Sequence, residues 1–325
     1  MSQTNPFVFD LDRRPANYQP LTPLSLLERS AGIYPDKTAI IHGSQRITYR
    51  DFWQRSLRLA SALNRRGIGR GDTVSVMAPN TPQMLEAHFG VPMSGAVLNS
   101  LNIRLDGPTI GHILEHGEAK ILLTDTEFAP VIREALASSG KDLLVIDIDD
   151  PEGDGGERLG SLDYEDFLKE GTQDFEWIMP KDEWDAISLN YTSGTTGNPK
   201  GVELSHHNFK FQLDSVLKVM AFDQGERYVS WLPLAHVFGQ MVDNHYWVRR
   251  ALHMTIVDSP LNTIDYAKEV QPHLFISVPR IYEKVYANLI AAINSKAILK
   301  IGLKIPGLSA QREPCESLLG YSTRI

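Results

Sequence analysis

The sequence is poor in cysteine, in long apolar runs and in positive charge, and each shortage excludes something. Cys315 is the only cysteine in 325 residues, so no disulfide can form within the chain, and a reducing compartment such as the cytoplasm is expected. No window reaches the roughly 18 consecutive apolar residues of a membrane-spanning helix. Residues 1–20 lack the basic start and apolar stretch of a secretory signal. The formal net charge of −8 argues against a nucleic-acid partner, although it leaves room for a small anion at one local site. No internal repeat is present.

What remains has the make-up of a folded protein. Hydrophobic residues are 42% and charged residues 22%, and the length suits one large domain or two ordinary ones. Short β-branched runs at 73–77, 119–124, 142–148 and 186–191 alternate with segments at 49–65, 82–91, 109–116 and 129–137, whose apolar residues recur every three or four positions. This order predicts an α/β fold with largely parallel sheets and flanking helices. Beyond residue 200 the spacing predicts helices at 206–220 and 279–292 and strands at 227–232, 253–257 and 274–278. Pro279 suits a first helical turn, where its missing N–H is not needed. Residues 296–308 are basic and amphipathic, a pattern shared by helices packed on a core and by helices making peripheral membrane contact.

The acidic run at 147–157 invites comparison with a calcium loop and fails it. Pro151 stands where an EF-hand needs its third ligand, and Glu152 where the sharp turn needs glycine, so a solvated surface loop is expected.

The residues richest in chemistry are Tyr191 to Gly201, YTSGTTGNPKG, which follow an apolar strand and stand shortly before a helix. Gly194, Gly197 and Gly201 permit close backbone approach to a ligand. Thr192, Ser193, Thr195 and Thr196 offer hydroxyls, and Lys200 adds a mobile positive charge. Such a set can wrap a polyphosphate. It is not a Walker A loop, because Asn198 and Pro199 separate Gly197 from Lys200 and no hydroxyl residue follows the lysine.

YTSGTTGNPKG resembles the phosphate-binding signature of the adenylate-forming superfamily, which includes acyl-CoA synthetases, luciferases and peptide-synthetase adenylation domains. The continuation Gly201-Val202-Glu203-Leu204-Ser205-His206-His207-Asn208 resembles that family too, and Leu232-Pro233-Leu234-Ala235-His236-Val237-Phe238-Gly239 resembles its next core motif. The resemblance implies that Thr192, Ser193, Gly194, Thr195, Thr196, Gly197 and Lys200 hold the phosphates of ATP, with Mg²⁺ bridging them near Thr195. It also places His236 near the acyl carboxylate; read by itself, His236 suits a helix cap or a core position equally. Pro279-Arg280 with Glu283 and Lys284 resembles the long-chain branch, and a surface helix pair explains them as well.

The implied activity is ATP-dependent activation of a carboxylic acid to an acyl-adenylate and then, with CoA as co-substrate, to acyl-CoA. Residues 1–203 resemble synthetases for short or medium acids and 204–306 those for fatty acids, and the second portion sets the expectation of a fatty acid. Residues 1–306 are thus expected to form part of an AMP-binding N-terminal domain and 307–325 a tail outside the family pattern. The family's motifs for adenine, ribose and the late lysine have no counterpart, nor has the C-terminal domain, so a truncated form is expected. The alternative is a catalytically incompetent nucleotide-binding or interaction fragment.

Overall fold

In a computed structural model the described residues are 13, 14, 16–192, 198–219 and 226–295. Among them the strands are β1 (Thr38–His42), β2 (Gln45–Thr48), β3 (Thr73–Met77), β4 (Val97–Ser100), β5 (Ala119–Asp125), β6 (Leu144–Ile148), β7 (Leu162–Asp163), β8 (Ala186–Thr192), β9 (Lys200–Ser205), β10 (Arg227–Ser230) and β11 (His253–Ile256). The helices are α1 (Ser25–Ile33), α2 (Tyr49–Arg65), α3 (Pro82–Met93), α4 (Gly107–His116), α5 (Ala129–Ser139), α6 (Tyr164–Lys169), α7 (His206–Val219), α8 (Val237–Gln240), α9 (Trp247–Arg250), α10 (Thr263–Val270) and α11 (Pro279–Ser295). A six-residue π-helical segment, Met241–Tyr246, joins α8 to α9. The chain divides into two units, Met1–Phe275 and Ile276–Ile325. In the second unit the described helix is α11; the expected boundary at Pro306, the stretch 296–308 and the tail lie outside the described residues.

The first unit carries the α/β architecture. Seven strands pair in the order β7-β6-β5-β3-β4-β8-β9, parallel throughout except for β9, and four pair as β10-β11-β1-β2. Local chemistry sets the helix starts. Thr48 and Asp51 form a reciprocal capping box at α2, and Thr81 accepts a hydrogen bond from Met84 N ahead of Pro82 at α3. α4 and α5 cover β3, β5 and β6 with a core that includes Met77, Ile110, Leu114, Leu122 and Ile132. Every residue of α3 is buried, and Phe89 on it meets Phe52 of α2 edge-on at 5.5 Å.

Polar links join the two sheets. His42, at the end of β1, bonds the Asp150 carboxylate beyond β6 at 2.9 Å. Asn80, beyond β3, bonds the backbone of Leu232 and Leu234 beyond β10. The acidic run therefore departs from a plain solvated loop: residues 151–154 are exposed, but Asp150 is buried against His42 and Asp147 accepts from the backbone N–H groups of Leu159 and Gly160. The strand expected at 274–278 is reduced to one bridge between Tyr228 and Leu274; beyond it the Phe275 ring stacks on Trp231. Among the described residues no helix is long and apolar enough to cross a membrane.

Besides His42, three histidines are buried among the described residues: His88 on α3, His206 on α7 and His245 in the π-helical segment. Burial pushes His88 and His206 down to about 4 and His245 to about 3, so the folded state keeps them neutral. Their folded pKa values lie below the unfolded value, so the stability they supply is complete above about 6.5 and is lost as pH falls toward 4 and 3. His245 lies edge-on between Phe89 and Phe209, which makes phenylalanine a fitting replacement. We expect His245→Phe to reduce the slope of unfolding free energy against pH by roughly 1.4 kcal/mol per pH unit between pH 6 and 4. Urea titrations at several pH values check this, and an unchanged slope refutes it.

Candidate functional site

β8 runs between two neighbours, parallel to β4 at Leu98↔Ser188 and antiparallel to β9. The β8–β9 ladder ends with Tyr191 opposite Gly201 and Thr192 opposite Lys200. The glycine- and threonine-rich segment therefore connects two paired strands, and the residues between it and α7, which the sequence pattern leaves as a short link to a helix, form the strand β9. Lys200 through Glu203 are exposed, and Gly201 with its charged neighbours lacks the β-branched run that marks a strand. Thr192 and Lys200 stand at the mouth of the hairpin, both exposed, so Lys200 is not committed to a buried ion pair. Ser193, Gly194, Thr195, Thr196 and Gly197 lie outside the described residues.

Tyr191 anchors this mouth. Its hydroxyl is 2.7 Å from His116 Nδ1 and its ring meets the imidazole edge-on, at the end of α4. Gly201 leaves room for that ring: a Cβ there would sit 3.1 Å from Leu189 Cδ1 and 3.5 Å from the tyrosine ring.

The second motif leaves β10 as a loop held from two sides. From beyond β3, the Asn80 amide donates to Leu232 O at 2.7 Å and accepts from Leu234 N at 3.1 Å. From the π-helical segment, Asp243 accepts from Tyr228 Oη, from Ser230 Oγ at 2.8 Å and from Leu232 N at 3.2 Å. Burial pushes the Asp243 carboxyl up to about 7, and these donors oppose the shift. The loop ends at His236, which is exposed and caps α8 by accepting from Phe238 N through Nδ1 at 3.2 Å. The neutral ring then carries its proton on Nε2, available as a donor. The helix-cap reading of His236 therefore holds and the core reading does not, since the ring is exposed and its Nε2 lies outside the cap bond.

The two motifs meet inside the fold. Gln240 and Asn190 exchange amide hydrogen bonds of 3.0 and 3.2 Å, with Ser188 beside them. Asn80 and Asp243 carry no motif spacing and are missed by sequence reading, and Gln240, at the end of the string that resembles the family, is given no role by it; the polar positions on β8, Ser188 and Asn190, are a further local signal. A cavity of about 190 Å³, lined by Asn80, Asn102, Arg104, Trp231 and Leu234 among others, opens beside the Asn80 clamp. Another of about 360 Å³ lies at the starts of β4 and β8, the far end of the strand from Thr192. Among the described residues no group of three histidine, cysteine or acidic side chains is arranged to hold a metal ion.

A largely parallel sheet with helices on its faces, with the hydroxyl-rich signature between β8 and β9 and the second motif after β10, fits the N-terminal domain of adenylate-forming enzymes. Residues 27–310 match the family described as AMP-binding enzyme, and the chain belongs to that family. Over 242 residues it is 43% identical to a peroxisomal acetate/butyrate–CoA ligase of Arabidopsis thaliana, covering 71% of this chain and 42% of that protein. It is also 43% identical over 242 residues to an acetate–CoA ligase of Humulus lupulus, covering 71% and 43%. The fold is similar to that of an anthranilate CoA ligase in complex with anthranoyl-AMP, with a TM-score of 0.70 at 21% identity over 80% of this chain and 50% of that one. The chain thus spans about two-fifths of the length of these curated relatives.

Gly239 sets the spacing between α8 and its loop, since a Cβ there would lie 2.3 Å from the Pro233 carbonyl oxygen. We expect Gly239→Ala to destabilise the protein by on the order of 1–3 kcal/mol. Gly32→Ala, on α1 with nothing within 4 Å of the added Cβ, is expected to be neutral or stabilising by up to about 1 kcal/mol. Thermal unfolding of the two variants checks the contrast, and equal midpoints would remove the packing argument.

Proposed function

We propose that this chain supplies the nucleotide-phosphate grip and part of the acid site of an AMP-forming acyl-CoA ligase. The observation that carries the reading is the hairpin mouth, where Thr192 and Lys200, both within the family's phosphate signature, pair across the two strands with the lysine exposed. In the proposed reaction a carboxylate oxygen attacks the α-phosphorus of ATP and pyrophosphate leaves; the CoA thiolate then attacks the acyl carbon and AMP leaves. Neither step calls for a protein nucleophile, so positioning and neutralisation of charge are the protein's work.

The hydroxyls of Thr192, Ser193, Thr195 and Thr196 and the backbone at Gly194 and Gly197 would hold the phosphates, with Lys200 neutralising developing charge. The exposed hydroxyl of Thr192 and the ammonium of Lys200 fit an anionic ligand. Mg²⁺ would screen the phosphates, with Thr195 the residue assigned to it. His236 would orient the acid by donating from Nε2 to its carboxylate. We take the acid to be an aliphatic monocarboxylate, with a fatty acid as the leading member on the likeness of residues 204–306. Acetate and butyrate, which the relatives' names give for those proteins, belong in the same panel. We assign residues 1–306 to the AMP-binding domain, and the single cysteine supports a compartment of cytoplasmic type.

Calorimetry with Mg·ATP and pyrophosphate exchange with acids from acetate to palmitate test the proposal on this chain. Exchange supports a ligase, binding without exchange supports the nucleotide-binding module, and absence of both sinks the phosphate grip. Lys200→Ala is expected to weaken Mg·ATP roughly tenfold to hundredfold, the worth of one charge-assisted contact, and an unchanged affinity counts against the assignment.

A further inference from the structure

The amide pair Asn190–Gln240 is the shortest side-chain link described between β8, the strand that leads to the phosphate loop, and the helix that His236 caps; the other, Ser188 Oγ to Gln240 Oε1, is 3.5 Å long. Asn190 Nδ2 donates to Gln240 Oε1 at 3.2 Å, and Gln240 Nε2 donates to Asn190 Oδ1 at 3.0 Å. Gln240 is fully buried and Asn190 is 8% exposed, so water does not compete for these bonds. The pair is short-coupled at both ends. Asn190 stands two residues before Thr192 on β8, and the backbone N–H of Gln240 donates to His236 O at 3.0 Å. A shift of β8 toward a ligand at the hairpin mouth must drag Gln240, and with it the turn that fixes the His236 ring. Two apolar residues would pack there without specifying a register, whereas the reciprocal amides are satisfied only when the two side chains lie face to face at this spacing.

We propose that Asn190 and Gln240 are positioning residues that couple the end of β8 at Thr192 to His236, so that nucleotide binding at the hairpin mouth orders the turn at His236. This rests on the reading given under Proposed function, and the experiment separates the two. Hydrogen–deuterium exchange of the whole chain, read by mass spectrometry with and without Mg·ATP, follows residues 186–192 and 236–240. In the wild type Mg·ATP slows exchange in both segments. In Gln240→Met, which keeps side-chain length and removes both hydrogen bonds, protection by Mg·ATP persists in 186–192 and is lost in 236–240. Asn190→Asp, which removes the donor to Gln240 Oε1 while keeping the shape, loses the same protection and serves if Gln240→Met does not fold. Ser188→Ala, whose bonds to Asn190 and Gln240 are longer at 3.3 and 3.5 Å, keeps it.

Protection of both segments in the folded Gln240 or Asn190 variant overturns the coupling, as does its loss in Ser188→Ala. If calorimetry finds no Mg·ATP binding to the wild type, the proposed function fails and the pair is judged without ligand. Faster exchange in both segments of Gln240→Met then upholds the link, and a change confined to 236–240 overturns it.

Discussion

The candidate site depends on one rung of hydrogen-bonded strand, the pairing of Thr192 with Lys200. A parallel sheet normally sends the chain away from a strand's end through a crossover helix, which would carry a following lysine to the opposite end of the sheet. Here the chain turns back on itself, so the residues on both flanks of the loop stay side by side. Register matters because strand side chains alternate faces, and a slip of one residue would move Lys200 to the other face. Gly201 beside Tyr191, and Tyr191 on His116, hold that register from below the loop.

The second motif reaches the same region from another sheet and is held by polar groups that would be costly to bury unpaired. Asn80 satisfies a carbonyl and an N–H of the Leu232–Leu234 loop, and Asp243 gathers donors from Tyr228, Ser230 and Leu232. Such networks give up some hydrophobic contact and in exchange specify a single geometry. Asp243 lies in a π-helical segment whose extra residue shifts the side-chain phase, and fully buried Asp243 and Gln240 consequently point to different partners.

Much of this fold is legible in the sequence where pattern and burial agree. Residues 49–65 and 73–77 form the expected helix and strand to the residue, because the helix has one apolar stripe and the strand is a short, fully buried run with β-branched Thr73, Val74 and Val76. The strands at 38–42 and 45–48 form a hairpin around Gly43, which takes a left-handed φ of +51°; they are too short for periodicity to reveal, and their turn residues are the signal that marks them. The strand at 200–205 is hidden because only Val202 and Leu204 alternate with polar residues, too few positions to establish a period, and Gly201 weakens the pattern at its start. The expected strand at 274–278 has the right composition, but only Leu274 reaches β10. Of the candidate site, the two motifs are visible as strings of residue types. The roles of Asn80, Asp243 and Gln240 are invisible because they depend on partners up to about 150 positions away.

β9 also closes one side of the seven-stranded sheet, with an exposed run from Lys200 to Glu203. An open strand margin invites another backbone to add to it, and charged side chains along such a margin discourage that addition. The charge of Lys200 thus stands where it would oppose such addition, whatever else the residue does. An alanine at this position would leave Val202, already 41% exposed, in a less charged border, and sedimentation of such a protein would report stickiness as well as weaker chemistry.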